Sequence, residues 1–160
     1  MKVKDEKKLI TKLKWFLYLL GKIKVPMIGY TSPKLLELTG TTVRIKIKLR
    51  WRTRNHLNSM YFGALAVGAD VTGGIHAFYF AKKMNKEVSF AFKGMQANFI
   101  KRAETDIFFS TNEGELIEEA LVRSMETGDR INQPIKVVAT NTEGEIVAEF
   151  TMISSMRCEL

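Results

Sequence analysis

The 160-residue sequence predicts an α+β fold: an antiparallel sheet wrapped around one long central helix, with further helices at the N-terminus. Three observations carry that expectation. The segment from Asn58 to Lys83 has a broad apolar pattern at helical spacing, as in a helix covered on most sides. Several segments around it alternate apolar and polar residues at strand period. The order helix, helix, strand, long helix, strand, strand, helix, strand, strand contains no repeat, low-complexity tract or linker, so one sheet packed on one helix is the economical arrangement. A chain of this length buries about two-thirds of its unfolded surface in one core. Residues 1–160 are therefore read as a single domain, with residues 1–38 as a helical N-terminal extension.

Each element has its own signal. In "KKLITKLKWFLYLLGK", Leu9, Ile10, Leu13, Phe16, Leu17 and Leu20 fall on one side of a helical wheel, with Lys7, Lys8, Lys12, Lys14 and Lys22 largely elsewhere. This amphipathic helix has two destinations, docking on the body or lying on an anionic membrane. Its apolar run from Trp15 to Leu20 is far too short to cross a bilayer. After "TSP", Pro33 suits a first helical position, and a second short helix is expected at Pro33–Leu38. "TTVRIKIKLRWRT" alternates Val43, Ile45, Ile47, Leu49 and Trp51 with Arg44, Lys46, Lys48, Arg50 and Arg52, a strand with one buried and one cationic face. That cationic face is either solvated or a landing strip for an anion.

The central helix carries a stripe of small residues, Gly63, Ala66, Ala69, Gly73 and Ala77, on which strands can lie close. "EVSFAFKGMQANFI" reads as a strand bulged near Gly94, and "TDIFFSTN" as a shorter one. "EGELIEEALVRSMETG" is a helix closed by Gly128. "PIKVVATN" and "EIVAEFTMISSMR" form a hairpin around "TEGE".

The net charge of +8 is unevenly spread. Residues 1–24 hold eight lysines against Asp5 and Glu6, a local charge of +6, and leave the body at only +2. A nucleic-acid binder needs a basic patch on the body with aromatics placed for stacking, so no nucleic-acid partner is expected. Cys158 has no second cysteine to pair with and no secretory signal precedes it, which points to a reducing, cytoplasmic compartment. Cys158, His56 and His76 do not make a zinc site at usual spacings, and no metal is expected.

One residue resists a structural explanation. From Leu57 to Ala81 the acidic and basic residues are Asp70 and His76 alone. A carboxylate among Leu65, Ala66, Val67, Ala69 and Val71 loses hydration without an evident partner. Asp70 is therefore either a functional acid in a water-accessible pocket or a structural group with a hidden hydrogen bond. Its apolar neighbours raise its pKa, whereas helix-start amides or a nearby cation lower it. Asn55 is a candidate for catalysis, for capping the central helix or for filling a turn, and Ser59 is a second capping candidate. His56 reads as a loop residue making a backbone hydrogen bond, and His76 as a satisfied core or interface histidine.

The stretch "LRWRTRNHLNSMYFGALAVGAD" and the strand-to-helix segment "DIFFSTNEGELIEEA" resemble the DUF4442 family, hotdog-fold relatives of the PaaI-type acyl-CoA thioesterases. The likeness implies a hotdog domain that hydrolyses acyl thioesters, with coenzyme A as part of the substrate and no other cofactor. It also implies a homodimer or dimer of dimers with sites at the interface. PaaI-type enzymes place an asparagine before the central helix, then His-Gly-Gly at its start, then an acid seven residues after the second glycine. Asn55, Gly63 and Asp70 match those positions, whereas the motif's histidine falls on Tyr61 and its first glycine on Phe62. The catalytic set implied is Asp70, as general base or nucleophile, with Asn55, Gly63, Tyr61 and His56. The backbone N–H groups around Phe62 and Gly63 are candidates for an oxyanion site. Phe62, Ser59, Lys101 and Arg102 are the substrate-binding candidates, the last two because coenzyme A phosphates need cations. Two alternatives stay open. One is a non-catalytic acyl-binding module that lost the histidine. The other is a hydroxyacyl dehydratase using His56 and Asp70, 14 residues apart, though the Pro-Gly pairs usual there are absent.

Overall fold

The structure is a computed structural model that describes residues 3–159, with side chains from Asp5 to Cys158. Lys2 of the basic segment lies outside the described residues, and the Lys4 side chain outside the described side chains. Helix α1 (Val3–Leu19) runs into a π-helical turn (Leu20–Lys24), and α2 (Pro26–Thr31) follows. Pro26 lacks an N–H and takes the first position of α2, where none is needed. The junction depends on two glycines: a Cβ on Gly29 would overlap the Gly21 carbonyl, and one on Gly21 would sit 2.7 Å from the Gly29 nitrogen.

Six strands follow: β1 (Lys34–Leu38), β2 (Val43–Ile47), β3 (Glu87–Phe99), β4 (Ile107–Thr111), β5 (Ile131–Thr140) and β6 (Ile146–Glu159). They form one fully antiparallel sheet in the order β1-β2-β4-β5-β6-β3. Helix α3 (Phe62–Lys83) packs across the sheet, and α4 (Gly114–Thr127) covers β5 and β6 beside it. Val43, Ile45, Ile47, Phe109, Val137 and Met152 point from the sheet into the core. The small-residue stripe does what its composition implies. Ala69, Gly73 and Ala77 are buried, and a Cβ at the neighbouring Gly68 would overlap the Phe109 ring. Close approach of this kind offsets the helix propensity lost at the glycines.

Three expectations are corrected. Residues 34–38 form a strand, not a helix, so the helical extension ends at Thr31. Leu35 and Leu38 are both buried because the β1–β2 register slips between Leu35 and Glu37. A bulge thus puts two residues three apart on one face and imitates helical spacing. Strand β2 stops at Ile47, short of Trp51. The Thr53 hydroxyl donates to the Lys48 carbonyl at 2.8 Å and accepts the Arg50 N–H at 3.0 Å, folding this segment into a turn that leaves Trp51 exposed. On what remains of the cationic face, Lys46 pairs with Asp106 at 2.8 Å and both Arg44 and Lys46 lie over Phe108, so the face is occupied by its own neighbours. Finally, α3 begins at Phe62, not Asn58. Asn58 has φ +60°, inside a turn that Asn55 organises.

The remaining segments follow their signals. The β3–β6 register shifts between Phe92 and Gly94, where the bulge was expected. Gly128 closes α4 with φ +76°, and Asn141–Glu145 makes the final hairpin turn.

Candidate active site

Asp70 stands on α3 and opens into a cavity of about 250 Å³ between α3, β3 and the N-terminal helices. Phe16, Leu20 and Val25 form its roof, Phe90 and Phe92 of β3 its wall, and Phe78 its far end. Asp70 is the charged residue of this lining. Among the described residues, no cation lies within ion-pair distance of its carboxylate and no donor hydrogen-bonds to it. Asp70 is only partly buried, and its oxygens still reach solvent. Burial raises its pKa above the usual carboxylate range, and no counter-charge opposes that rise. A carboxylate held this way is a stronger base than one in water and is not neutralised by a partner.

A second pocket, of about 380 Å³, lies at the start of α3 and is lined by Asn55, His56, Ser59, Tyr61, Phe62 and the Lys101–Ala103 segment among others. The Asn55 carboxamide accepts the N–H groups of Leu57 at 2.9 Å and Ser59 at 3.2 Å, and it also contacts the Ser59 hydroxyl. Asn55 therefore fills a turn, and neither it nor Ser59 caps α3. The N-cap residue of α3 is Tyr61, whose side chain makes no capping hydrogen bond. Tyr61 offers its carbonyl to Ala64 and Leu65, while the amides of Phe62 and Gly63 have no acceptor among the described residues. The Tyr61 ring lies across the helix start: a Cβ on Gly63 would sit 2.5 Å from its Cε1, so a side chain there would displace the ring.

The structure brings Asn55, His56, Ser59, Tyr61, Phe62, Lys101 and Arg102 to one pocket and leaves Asp70 in another. His56 is exposed and shares no cavity with Asp70 within this chain. Lys101 and Arg102 reach the rim with carboxylates attached, Glu145 at 2.6 Å and Glu104 at 3.7 Å. His76 is fully buried, and its Nε2 pairs with the Thr39 carbonyl at 3.0 Å. Its Nδ1 has no partner among the described residues, which leaves the ring half satisfied there. Sequence reasoning missed the roof over Asp70. Phe16 and Leu20, spaced i and i+4, were legible as a docking face, but nothing in their spacing named Asp70 as their neighbour.

Comparison with known proteins agrees with this architecture. Residues 14–154 match the family described as "Domain of unknown function (DUF4442)". A solved protein of unknown function from Pseudomonas aeruginosa, described as a probable thioesterase, is 23% identical with a TM-score of 0.73, over 91% of this chain and 95% of that one. A protein of unknown function from Chlorobaculum tepidum is 12% identical with a TM-score of 0.81, over 96% and 97%. A thioesterase from Haemophilus influenzae is 8% identical with a TM-score of 0.66, over 91% and 90%. These likenesses establish the hotdog fold. No curated protein matches the chain.

Proposed function

The chain belongs to the DUF4442 family, and from that premise we propose that it hydrolyses acyl thioesters such as acyl-coenzyme A, with Asp70 as the reacting acid. The observation that carries this reading is the unpartnered Asp70 carboxylate at the edge of an apolar cavity of about 250 Å³. Asp70 takes a proton from water as the water oxygen attacks the thioester carbonyl. The alternative role is direct attack, giving an acyl-enzyme anhydride that water opens. In either case the C–S bond breaks and the thiolate leaves to be protonated.

The amides of Phe62 and Gly63 suit the carbonyl oxygen as negative charge develops. Asn55 suits positioning of water or substrate, and Lys101 and Arg102 suit the phosphates. Since Asp70 and these groups line different cavities of one chain, the reading requires a second protomer. Among the described residues strand β3 pairs with β6 on one side only, and it exposes Met95 and Phe99. Two such edges joined antiparallel form a homodimer with sites at the seam.

Tyr61 and Phe62 stand where the related motif has its histidine and first glycine, and their rings pack together at 4.7 Å over the helix start. That observation favours the second reading, an acyl-binding module without turnover. Thiol release from a panel of acyl-CoAs separates the two. Turnover that Asp70→Asn removes supports hydrolysis, and saturable acyl-CoA binding without thiol release supports the binder.

A further inference from the structure

The N-terminal helices turn a second surface outward that thioester chemistry does not use. Leu13, Leu17 and Ile28 are buried, but Trp15 is 60% exposed, Ile23 69% and Met27 62%, and Tyr18 and Tyr30 are exposed beside them. Single exposed apolar residues are ordinary, whereas this many in one helical layer call for a cover. Next to them, between α1, α2 and the start of β1, runs a groove of about 560 Å³. Among the described residues its charged lining is Lys14, Lys22, Lys34 and Arg52, with no carboxylate. Among the described residues none of these four cations is ion-paired.

The aromatic and cationic groups are interleaved. Trp15 and Tyr18 pack edge to face at 5.4 Å, Lys22 Nζ lies 5.8 Å from the Tyr18 ring centre, and Arg52 lies 5.5 Å from that of Tyr30. We propose that this face docks on an anionic phospholipid bilayer, with Trp15, Tyr18, Ile23, Met27 and Tyr30 entering the headgroup boundary and lipid phosphates lying in the cationic groove. Charge and composition select that occupant. Trp and Tyr favour the membrane–water interface, and lysines extend their ammonium groups to its phosphates. Unpaired cations add attraction to an anionic leaflet, so two independent signals act together. A second copy meeting the face symmetrically would set the same cations against one another. Leu17 and Ile28 line both the groove and the Asp70 cavity, so the docked face lies one side-chain layer from that cavity.

The test uses the full chain and vesicles of phosphatidylcholine, alone or mixed with phosphatidylglycerol. Trp15 and Trp51 are the only tryptophans, so Trp51→Phe leaves Trp15 as the reporter. The mixed vesicles should co-sediment the protein and shift Trp15 emission to the blue. Affinity for phosphatidylcholine alone, or for mixed vesicles at high salt, should be lower by at least about tenfold. Combined Lys14→Glu, Lys22→Glu and Lys34→Glu, all at exposed positions, should weaken binding by a similar factor with circular dichroism unchanged. Equal binding to both vesicles, no binding, or an unmoved Trp15 spectrum overturns the proposal. So does binding of inorganic phosphate in the groove without vesicle binding. A dimer that Ile23→Ser and Met27→Ser dissociate would assign the face to a second copy and overturn it as well.

Discussion

The Tyr79 hydroxyl, buried on α3, donates to Glu6 Oε1 of α1 across 2.8 Å. This bond links the central helix to the N-terminal helix that roofs the Asp70 cavity. Burial and the hydrogen bond to Glu6 together push the phenol's pKa up to about 12. A raised folded pKa means stability that is complete below the ordinary tyrosine value of about 10 and lost as pH rises through about 12. Tyr79→Phe should lower the thermal midpoint by on the order of 4 °C near neutrality, from a net loss of about 1 kcal/mol. The gap from wild type should close in strongly alkaline buffer. Removing residues 1–24 should go further, exposing Phe78 and Phe90 and promoting aggregation, which light scattering measures.

Asp70→Asn, nearly isosteric, should cut kcat by on the order of 10² or more. Its stability effect has the opposite sign to that of an ordinary ion pair. Burial raises the folded pKa of Asp70, so the native state is penalised at neutral pH and relieved as pH falls through that value. Asp70→Asn should therefore melt at the same temperature or higher at neutral pH, and the advantage should shrink in acid. For the wild type, kcat/KM should fall on the acid side at a pH above the usual aspartate value of about 3.9. A profile flat through that region would remove Asp70 as the titrating base.

His76 titrates in the other direction. Burial lowers its pKa, and the bond to the Thr39 carbonyl only partly opposes that. A depressed folded pKa gives stability that is complete above the unfolded value of about 6.5 and lost as pH falls toward the folded one. Denaturant midpoints of wild type and His76→Phe, compared from neutral to mildly acidic pH, should converge in acid.

Gly68→Ala places a methyl group against the Phe109 ring, which is fully buried and cannot retreat. Overpacking of this kind costs about 1–3 kcal/mol, so chemical denaturation should show a clear drop in midpoint. Gly40→Ala, with nothing within 4 Å of the new methyl, serves as the control and should be near neutral.

Replacing Lys101 and Arg102 with Ala should raise KM for acyl-CoA, more at low salt, if these cations meet the phosphates. Their pairing with Glu145 and Glu104 keeps the expected rise to a few-fold, because the cations are partly compensated before substrate arrives.

Periodicity determined much by itself. Alternation at Val43, Ile45 and Ile47, the small-residue stripe of α3 and the isolation of Asp70 among apolar residues were all legible, because each depends on neighbours two to seven positions away. Tertiary structure decided the rest. Leu35 and Leu38 look helical until a bulge in pairing with β2 explains their spacing. Trp51 continues an alternation that the Thr53 hydroxyl interrupts from outside the pattern. That Phe16 and Leu20 roof Asp70, while Asn55 lies in a different pocket, depends on how α1 packs on α3. Contacts between residues fifty or more positions apart leave no periodic trace, since each side shows only that it is apolar and not what it will meet.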